Sequence, residues 1–373
     1  MTKNSSNIIK SFLNDFPEIF HSPQKVNAYL QDYSKNIEEI IVKDFVNFGL
    51  KDDFAIYANG GFGRQELYPS SDIDLSIIQK KKNINNSDNL EKFIAKLWDL
   101  GLQVGHSVRT IKDIKKIAKE DPKEFTSYLT RRPLLTNKKT DESINLALSK
   151  IWSKKKFYKV KLSEQEERYK SFFSTEYNLE PNLKESPGTL RDFQTSLWIL
   201  QHCFDLENID GIKKSKEFGN EIEEVINSYN FVKTMRYITN IISNKNRLTF
   251  EIQVEIADKA KLKEGTTKRS VEKLMQKFYE NASNLSNFNN LVFEKFKEQN
   301  QFAITKNYGE FFVRGSKIGL KKDANLEKQK ELIFDIFIAI GKSKKINAIE
   351  TSSMSLLKNN LNLIDTNFRN DQK

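Results

Sequence analysis

Residues 58–78 read ANGGFGRQELYPSSDIDLSII, and this stretch decides the fold. The preceding segment, residues 54–57, is apolar and has the composition of a strand. Gly60 and Gly61 follow it and allow backbone N–H groups to approach an anion closely. After a polar turn that contains Pro69, a second apolar segment begins. The pattern predicts two strands joined by a glycine-containing turn.

Two carboxylates, on Asp72 and Asp74, open the second of these strands. Because side chains in a strand alternate between faces, both point to one side, while Ile73, Leu75 and Ile77 point into a core. Neighbouring carboxylates repel each other unless a cation lies between them, and oxygen ligands of this kind suit Mg²⁺ that carries substrate phosphates. A lone Asp-x-Asp is usually a solvated strand end, but a preceding glycine turn makes the joint pattern far more specific. The sequence therefore predicts a site for metal and nucleotide.

Composition limits the class of protein. The chain has 373 residues, enough for two or three domains, and its 38% hydrophobic and 30% charged residues are typical of a folded globular protein. No apolar run approaches the ~20 residues that a membrane span needs, and the N-terminus lacks the apolar core of a signal peptide. With Cys203 as its single cysteine, the chain forms no intrachain disulfide, which favours the reducing cytoplasm.

Charge and histidine content argue against two other classes. The formal net charge is +11, but the lysines are scattered and are not interleaved with stacking aromatic residues, so nucleic acid is not the favoured partner. His21, His106 and His202 are far apart, and the chain has no His-Asp pair. A zinc site or a histidine-built hydrolase is therefore poorly supported, and each histidine is expected to be structural.

Hydrophobic periodicity divides the chain in two. A leading helix is predicted over residues 24–48, a further helix over 90–100, a third strand over 101–110, and a helix from 111 that breaks at Asp121-Pro122. From about residue 140 almost every segment has helical period. One exception, near residues 311–320, has the pattern of a hairpin with its turn at Gly315.

The segment GGFGR followed by SDID resembles the signature of polymerase-β-like nucleotidyltransferases. Three further stretches, 97–110, 178–192 and 247–253, resemble the bacterial PII uridylyltransferase/uridylyl-removing enzyme, the bifunctional nitrogen sensor. The resemblance implies an α+β fold in which a nucleotidyltransferase domain with an N-terminal helical extension, residues 1–140, precedes an α-helical domain, residues 141–373. It also implies that the HD hydrolase and ACT domains of that family are absent from this chain.

The resemblance further implies a reaction. A uridylyl group would pass from UTP to a tyrosine of the PII signalling protein, with release of pyrophosphate. Asp72 and Asp74 would bind one or two Mg²⁺ ions. The remaining positions expected to contact the nucleotide are Gly60, Gly61, Arg64, Ser71, Lys184 and Arg191.

Three of these positions have an alternative structural role. Arg64 could contact phosphate, or it could simply pair with Glu66. Lys184 and Arg191 could close over the triphosphate, or residues 182–192 could be a helix cap and hinge in which Arg191 forms an ion pair.

One departure from the family pattern concerns a third carboxylate. Enzymes of this superfamily generally add an acid to the Asp-x-Asp pair, but Thr130 stands where the resemblance places it. Glu66 or Glu124 could replace it only if the fold brings either one near. The alternatives are therefore a catalytically weakened or inactive regulatory module that binds nucleotide or a partner, or a protein adenylyltransferase. The long match around residues 184–192 argues against the latter.

Overall fold

The structure is a computed structural model that describes residues 3–80, 86–172, 175–215, 217–262, 267–301, 304–321, 324–343, 345–365 and 368. The helices are α1 (Lys3–His21), α2 (Val26–Asn47), α3 (Gly60–Gly63), α4 (Ser87–Asp99), α5 (Ile111–Glu120), α6 (Pro122–Leu129), α7 (Lys138–Leu148), α8 (Lys154–Ser171), α9 (Leu190–Phe204), α10 (Ile209–Lys214), α11 (Ile222–Ser243), α12 (Phe250–Lys259), α13 (Thr267–Gln301), α14 (Leu332–Lys342) and α15 (Thr351–Asn359). The strands are β1 (Phe54–Ala58), β2 (Ile73–Gln79), β3 (Val104–Arg109), β4 (Arg132–Leu135), β5 (Ile304–Tyr308), β6 (Phe311–Arg314), β7 (Lys317–Leu320) and β8 (Ala348–Ile349).

The first sheet is mixed and has the strand order β3-β2-β1-β4. Strand β1 pairs antiparallel with β2 and β4, whereas β2 and β3 run parallel. The predicted strands β1, β2 and β3 are confirmed, and so is the α+β class. Strand β4 was not predicted, because it is short and contains Pro133. A proline lacks the N–H that a central strand must donate, and β4 is an edge strand.

Both faces of the two central strands, β1 and β2, are largely buried. Ile73, Leu75 and Ile77 pack into a core with α2 and α4, as the alternation predicted. Ile78 on β2 lies in a second core together with Tyr57 on β1. This second core continues into α5, α6 and the helices that follow residue 144. The sheet is therefore a layer between two sets of helices, which leaves its strand ends available to form a site.

The helical part is built around α11 and α13. The segment from Ser228 to Asn240 of α11 is buried throughout, so this helix lies inside the bundle rather than on its surface. Helix α1 packs against it, with the rings of Phe12 and Tyr237 4.2 Å apart. The N-terminal extension thus shares a core with the later helices, and a domain boundary at residue 140 stays a prediction.

The predicted hairpin near residues 311–320 is confirmed. Strands β6 and β7 pair antiparallel, and Gly315 in their turn has a positive φ of 61°. The hairpin belongs to a second sheet with the order β5-β6-β7-β8. This sheet has its own small core, in which Ile318 and Ile336 are buried. In the described ranges, no helix has the length and apolar character required to cross a lipid bilayer.

Gly188 is the point at which the segment between α8 and α9 contacts α13. Its φ is +72°, and a Cβ at this position would lie 2.4 Å from the backbone oxygen of Ala282. Gly101 has almost the same backbone conformation, with φ of +73°, but a Cβ there would meet nothing within 4 Å. The two glycines separate the effect of backbone strain from the effect of steric overlap.

We expect Gly188→Ala to lower the free energy of unfolding by about 3 kcal/mol, because it adds overlap with a carbonyl to left-handed strain. Gly101→Ala should lower it by about 1 kcal/mol, because only the strain remains. Urea unfolding followed by circular dichroism measures both. Equal losses in the two variants would show that the contact with α13 is not tightly packed.

Candidate active site

The two aspartates lie at the start of β2, exposed on one side of the sheet edge. More than a third of the Asp74 surface is accessible, but its carboxyl group points into a cavity. Burial there and the nearby Asp72 carboxylate raise the pKa of Asp74, while Lys184 and Arg64 act in the opposite direction. The pair therefore meets the condition for a cation site, in which two carboxylates repel each other when no cation is bound.

The glycine turn lies directly against these carboxylates. Gly60 has φ of +55°, and a Cβ at this position would lie 2.6 Å from Oδ2 of Asp74. Both the backbone conformation and the contact therefore require glycine. The N–H of Asn59 donates to the backbone oxygen of Asp74, which joins the end of β1 to the start of β2. Across the sheet, Gly105 of β3 is the register partner of Asp74.

Arg64 and Glu66 follow the turn and form an ion pair, with Nε and Oε2 2.9 Å apart. Glu66 also accepts hydrogen bonds from the hydroxyl of Tyr229, and the ammonium of Lys233 lies 3.5 Å away. Burial alone would raise the pKa of Glu66, but Lys233 and Arg64 lower it below its ordinary value. The predicted pairing of Arg64 with Glu66 is present, although Arg64 also lines the cavity.

Residues 178–192 and 247–253, two of the stretches that resemble the uridylyltransferase family, contact each other. Asn182 forms an isolated antiparallel bridge with Arg247, and the guanidinium of Arg247 donates to the Glu180 carboxylate at 2.8 Å. The side-chain oxygen of Asn182 accepts from the N–H groups of Lys184 and Glu185. Residues 182–189 thus form a tightly bonded segment before α9.

Lys184 of this segment and Arg191 in the first turn of α9 line the same cavity. Arg191 donates to both oxygens of Glu185, so the predicted ion pair is present as well. Burial, followed by the charges of Arg191 and Arg236, lowers the pKa of Lys184. A basic group whose charged form is disfavoured in this way gains from the arrival of an anion.

All of the predicted site residues line one cavity of about 740 Å³. It is lined by Gly60, Gly61, Arg64, Ser71, Asp72, Asp74, Lys184 and Arg191. Its volume lies in the range of small-molecule sites. A larger groove of about 1010 Å³ between α11, α12 and α13 contains none of these residues.

Sequence reasoning missed several cations of this cavity, namely Lys123, Lys161, Arg168 and Arg236. Arg236 on α11 donates to Asn246 and lies 4.0 Å from the ring centre of Tyr68. Among the described residues no carboxylate forms an ion pair with it. A signal was available, because Lys233 and Arg236 are the only charged residues between Val225 and Ser243.

Thr130 stands where the family resemblance places a third carboxylate. Thr130 lines the cavity, and its backbone oxygen lies 3.0 Å from where a Cβ of Gly63 would be. Glu124 does not replace it, because both of its oxygens accept from Arg109. Glu66 lines the cavity but is already bonded to three partners. Within the described ranges, no three His, Cys, Asp or Glu side chains are grouped so that they could hold a metal ion.

The histidines have structural contacts. His21 packs edge-on against Phe20, and His106 lies beside Trp98. The His202 ring contacts the backbone oxygen of Trp152, and burial lowers the pKa of this histidine. None of the three lines the cavity of the two aspartates.

A small mixed sheet that presents two carboxylates beside a glycine turn, closed by a helical bundle, is the architecture of the polymerase-β-like nucleotidyltransferases. Comparison with known families narrows this class. A family model described as GlnD PII-uridylyltransferase matches residues 156–293, and one described as uridylyltransferase GlnD third domain matches residues 311–373. The chain belongs to the GlnD PII-uridylyltransferase family.

Individual relatives agree with these matches, and each is named bifunctional uridylyltransferase/uridylyl-removing enzyme. The relative from Ectopseudomonas mendocina (strain ymp) is 30% identical over 94% of this chain, which covers 41% of the relative. The relative from Hydrogenovibrio crunogenus is 30% identical over 97% of this chain, which covers 43% of the relative. The relative from Pseudomonas aeruginosa (strain LESB58) is 28% identical over 97% of this chain, which covers 42% of the relative. The chain therefore spans about two fifths of the length of these relatives.

The buried carboxylate of Glu66 predicts a pH-dependent loss of stability. Glu66→Gln should lower the free energy of unfolding by about 2 kcal/mol at pH 7, because the charged partners Arg64 and Lys233 stay buried. Since the folded-state pKa lies below the ordinary 4.5, the carboxylate stabilises the fold above that pH, and this contribution disappears as the pH falls through the folded-state value.

Urea unfolding between pH 7 and pH 4 tests this expectation. The difference in the free energy of unfolding between the unaltered protein and Glu66→Gln should be constant near pH 7 and should begin to decrease as the pH approaches 4. The exposed Glu39, for which no ion pair or hydrogen bond is found among the described residues, provides the control, and Glu39→Gln should differ little at any pH. A difference that widens on acidification would contradict the expectation.

Proposed function

We propose that this chain transfers a uridylyl group from UTP to a tyrosine of a PII signalling protein in the cytoplasm, with magnesium as the cofactor and pyrophosphate as the second product. The observation that supports this most strongly is the convergence of residues from separate stretches on one cavity. Carboxylates come from the start of β2 and the glycine turn from the segment before it. Cations come from the segment before α9, from the first turn of α9 and from α11.

The carboxylates suit the proposed metal. Asp72 and Asp74 provide hard oxygen ligands at a sheet edge. Burial, and then repulsion from Asp72, raise the pKa of Asp74, and a bound cation would offset both. Bound Mg²⁺ would neutralise phosphate oxygens and favour attack at the α-phosphorus. Asp72 and Asp74 would hold it.

The other residues would orient the triphosphate. The backbone of Gly60 and Gly61 leaves room for an anion, and Ser71 adds a hydroxyl at the same edge. Lys184, Arg191 and Arg236 would face the phosphates from the helical side, where burial keeps water away from part of their surface. Positioning of this kind provides most of the catalysis in phosphoryl transfer.

An alternative proposal is a module that binds nucleotide but transfers it slowly or not at all. The observation that favours it is Thr130, which lines the cavity where the family resemblance places an acid, and whose hydroxyl donates to the backbone oxygen of Thr126. Transfer of adenylyl groups is a further alternative, and competition between ATP and UTP would distinguish the two nucleotides.

We expect Asp72→Asn and Asp74→Asn each to reduce the labelling of a PII protein by radioactive UTP and Mg²⁺ by roughly a hundredfold or more, because each removes a metal ligand. Asp99→Asn, which changes an exposed aspartate on α4, should label PII normally. Full labelling by both site variants would contradict the proposal.

A carboxylate at position 130 tests the alternative. If the missing acid limits the reaction, Thr130→Glu should increase the rate of PII labelling by about tenfold, because it adds a metal ligand beside Asp72 and Asp74. The matched variant Thr130→Gln, which adds similar bulk without charge, should not. If Thr130→Glu gives no increase while the unaltered protein is active, the threonine does not limit this chain.

A further inference from the structure

A second wall of the active-site cavity is formed by α8 and α9. Gln165 and Arg168 on α8, and Gln194, Thr195 and Trp198 on α9, line it. These residues belong to the helical domain, whereas the carboxylates and the glycine turn belong to the sheet. The reaction steps described above leave this wall without a role.

Gln165 differs from its neighbours in its hydrogen bonding. Its relative exposure is only 7%, yet its side-chain oxygen accepts no hydrogen bond from the described residues. Gln194, in contrast, accepts from Arg191 and donates to Tyr229, and the Thr195 hydroxyl donates to a backbone oxygen. Because an unsatisfied buried amide oxygen is unfavourable, a ligand that donates to it would be bound in preference to water.

The charges beside Gln165 are already neutralised. Lys161, one turn earlier on α8, pairs with Glu164, and Arg168, one turn later, pairs with the buried Asp192. The surroundings of Gln165 are therefore polar but carry little net charge, unlike the region around Lys184. Such a surface suits the base of a nucleotide better than its phosphates, and the ring of Trp198 adds apolar contact area on the same wall.

We propose that Gln165 recognises the nucleobase of the bound nucleotide. A carboxamide has one acceptor and two donors, which complement the imide edge of uracil. Oε1 accepts from N3–H of the ring, and Nε2 donates to an adjacent carbonyl oxygen. The terminal torsion of glutamine is broad, so the amide can turn towards the ligand. This assignment rests on the proposed function, since it identifies the residue that selects UTP at the same site.

Calorimetric titration of the whole chain in the presence of Mg²⁺ tests the assignment with three ligands: UTP, N3-methyl-UTP and inorganic triphosphate. The unaltered protein should bind UTP about tenfold more tightly than N3-methyl-UTP, whose methyl group blocks the donor. Gln165→Leu should weaken UTP binding about tenfold, remove the difference between the two nucleotides and leave triphosphate binding unchanged. The exposed Gln31, changed to leucine, is the control and should alter none of these affinities.

The outcomes separate this inference from the proposed function. If the unaltered protein binds neither UTP nor triphosphate, the proposed function fails. If Gln165→Leu still distinguishes UTP from N3-methyl-UTP, or weakens triphosphate as much as UTP, the base-recognition role is wrong. If Gln165→Leu does not fold, Gln165→Glu replaces it, because a carboxylate accepts but does not donate. Gln165→Glu should bind UTP more weakly and should still bind UTP more tightly than N3-methyl-UTP. If Gln165→Glu binds all three ligands as the unaltered protein does, the inference is wrong.

Discussion

The buried carboxylate of Glu66 is the interaction on which the geometry of the site depends. It lies just after the glycine turn, pairs with Arg64 beside it, and accepts hydrogen bonds from Tyr229 on α11, with Lys233 of the same helix close by. A buried charge is strongly unfavourable unless it is paired and hydrogen-bonded. The turn of the sheet and the helix of the bundle must therefore come together, and the cavity between them follows from that requirement.

The cavity divides its charge between its two sides. The sheet edge contributes the negative charge of Asp72 and Asp74, whereas the helical side contributes Lys184, Arg191 and Arg236. Without a ligand, the charged forms of both Asp74 and Lys184 are disfavoured. Burial and neighbouring charges of the same sign raise the pKa of Asp74 and lower the pKa of Lys184. A metal ion bound together with a triphosphate would stabilise the charged forms of both Asp74 and Lys184. The combined charge of the ion and the triphosphate is negative, and the surplus of cations on the helical side complements it.

The local sequence pattern correctly predicted those structural features that depend on residues close together in the chain. The alternation of Ile73, Leu75 and Ile77 predicted the buried face of β2, and Asp121-Pro122 predicted the break between α5 and α6. Strand β4 escaped prediction because its four residues pair with β1, more than seventy positions earlier. The second buried face of the sheet was not predicted for a related reason, since most residues of the core that it joins lie beyond residue 110.

The sequence by itself determined the sheet-edge carboxylates, the glycine turn beside them and the family, because these depend on short-range spacing and on backbone conformations that only certain residues adopt. Tertiary structure alone decided which other side chains share the cavity. Arg236 lies on α11 and Gln165 on α8, and no local pattern relates either of them to Asp72. They meet because long-range packing of α8, α9 and α11 against the sheet buries apolar surface, and that packing carries the polar side chains to one place.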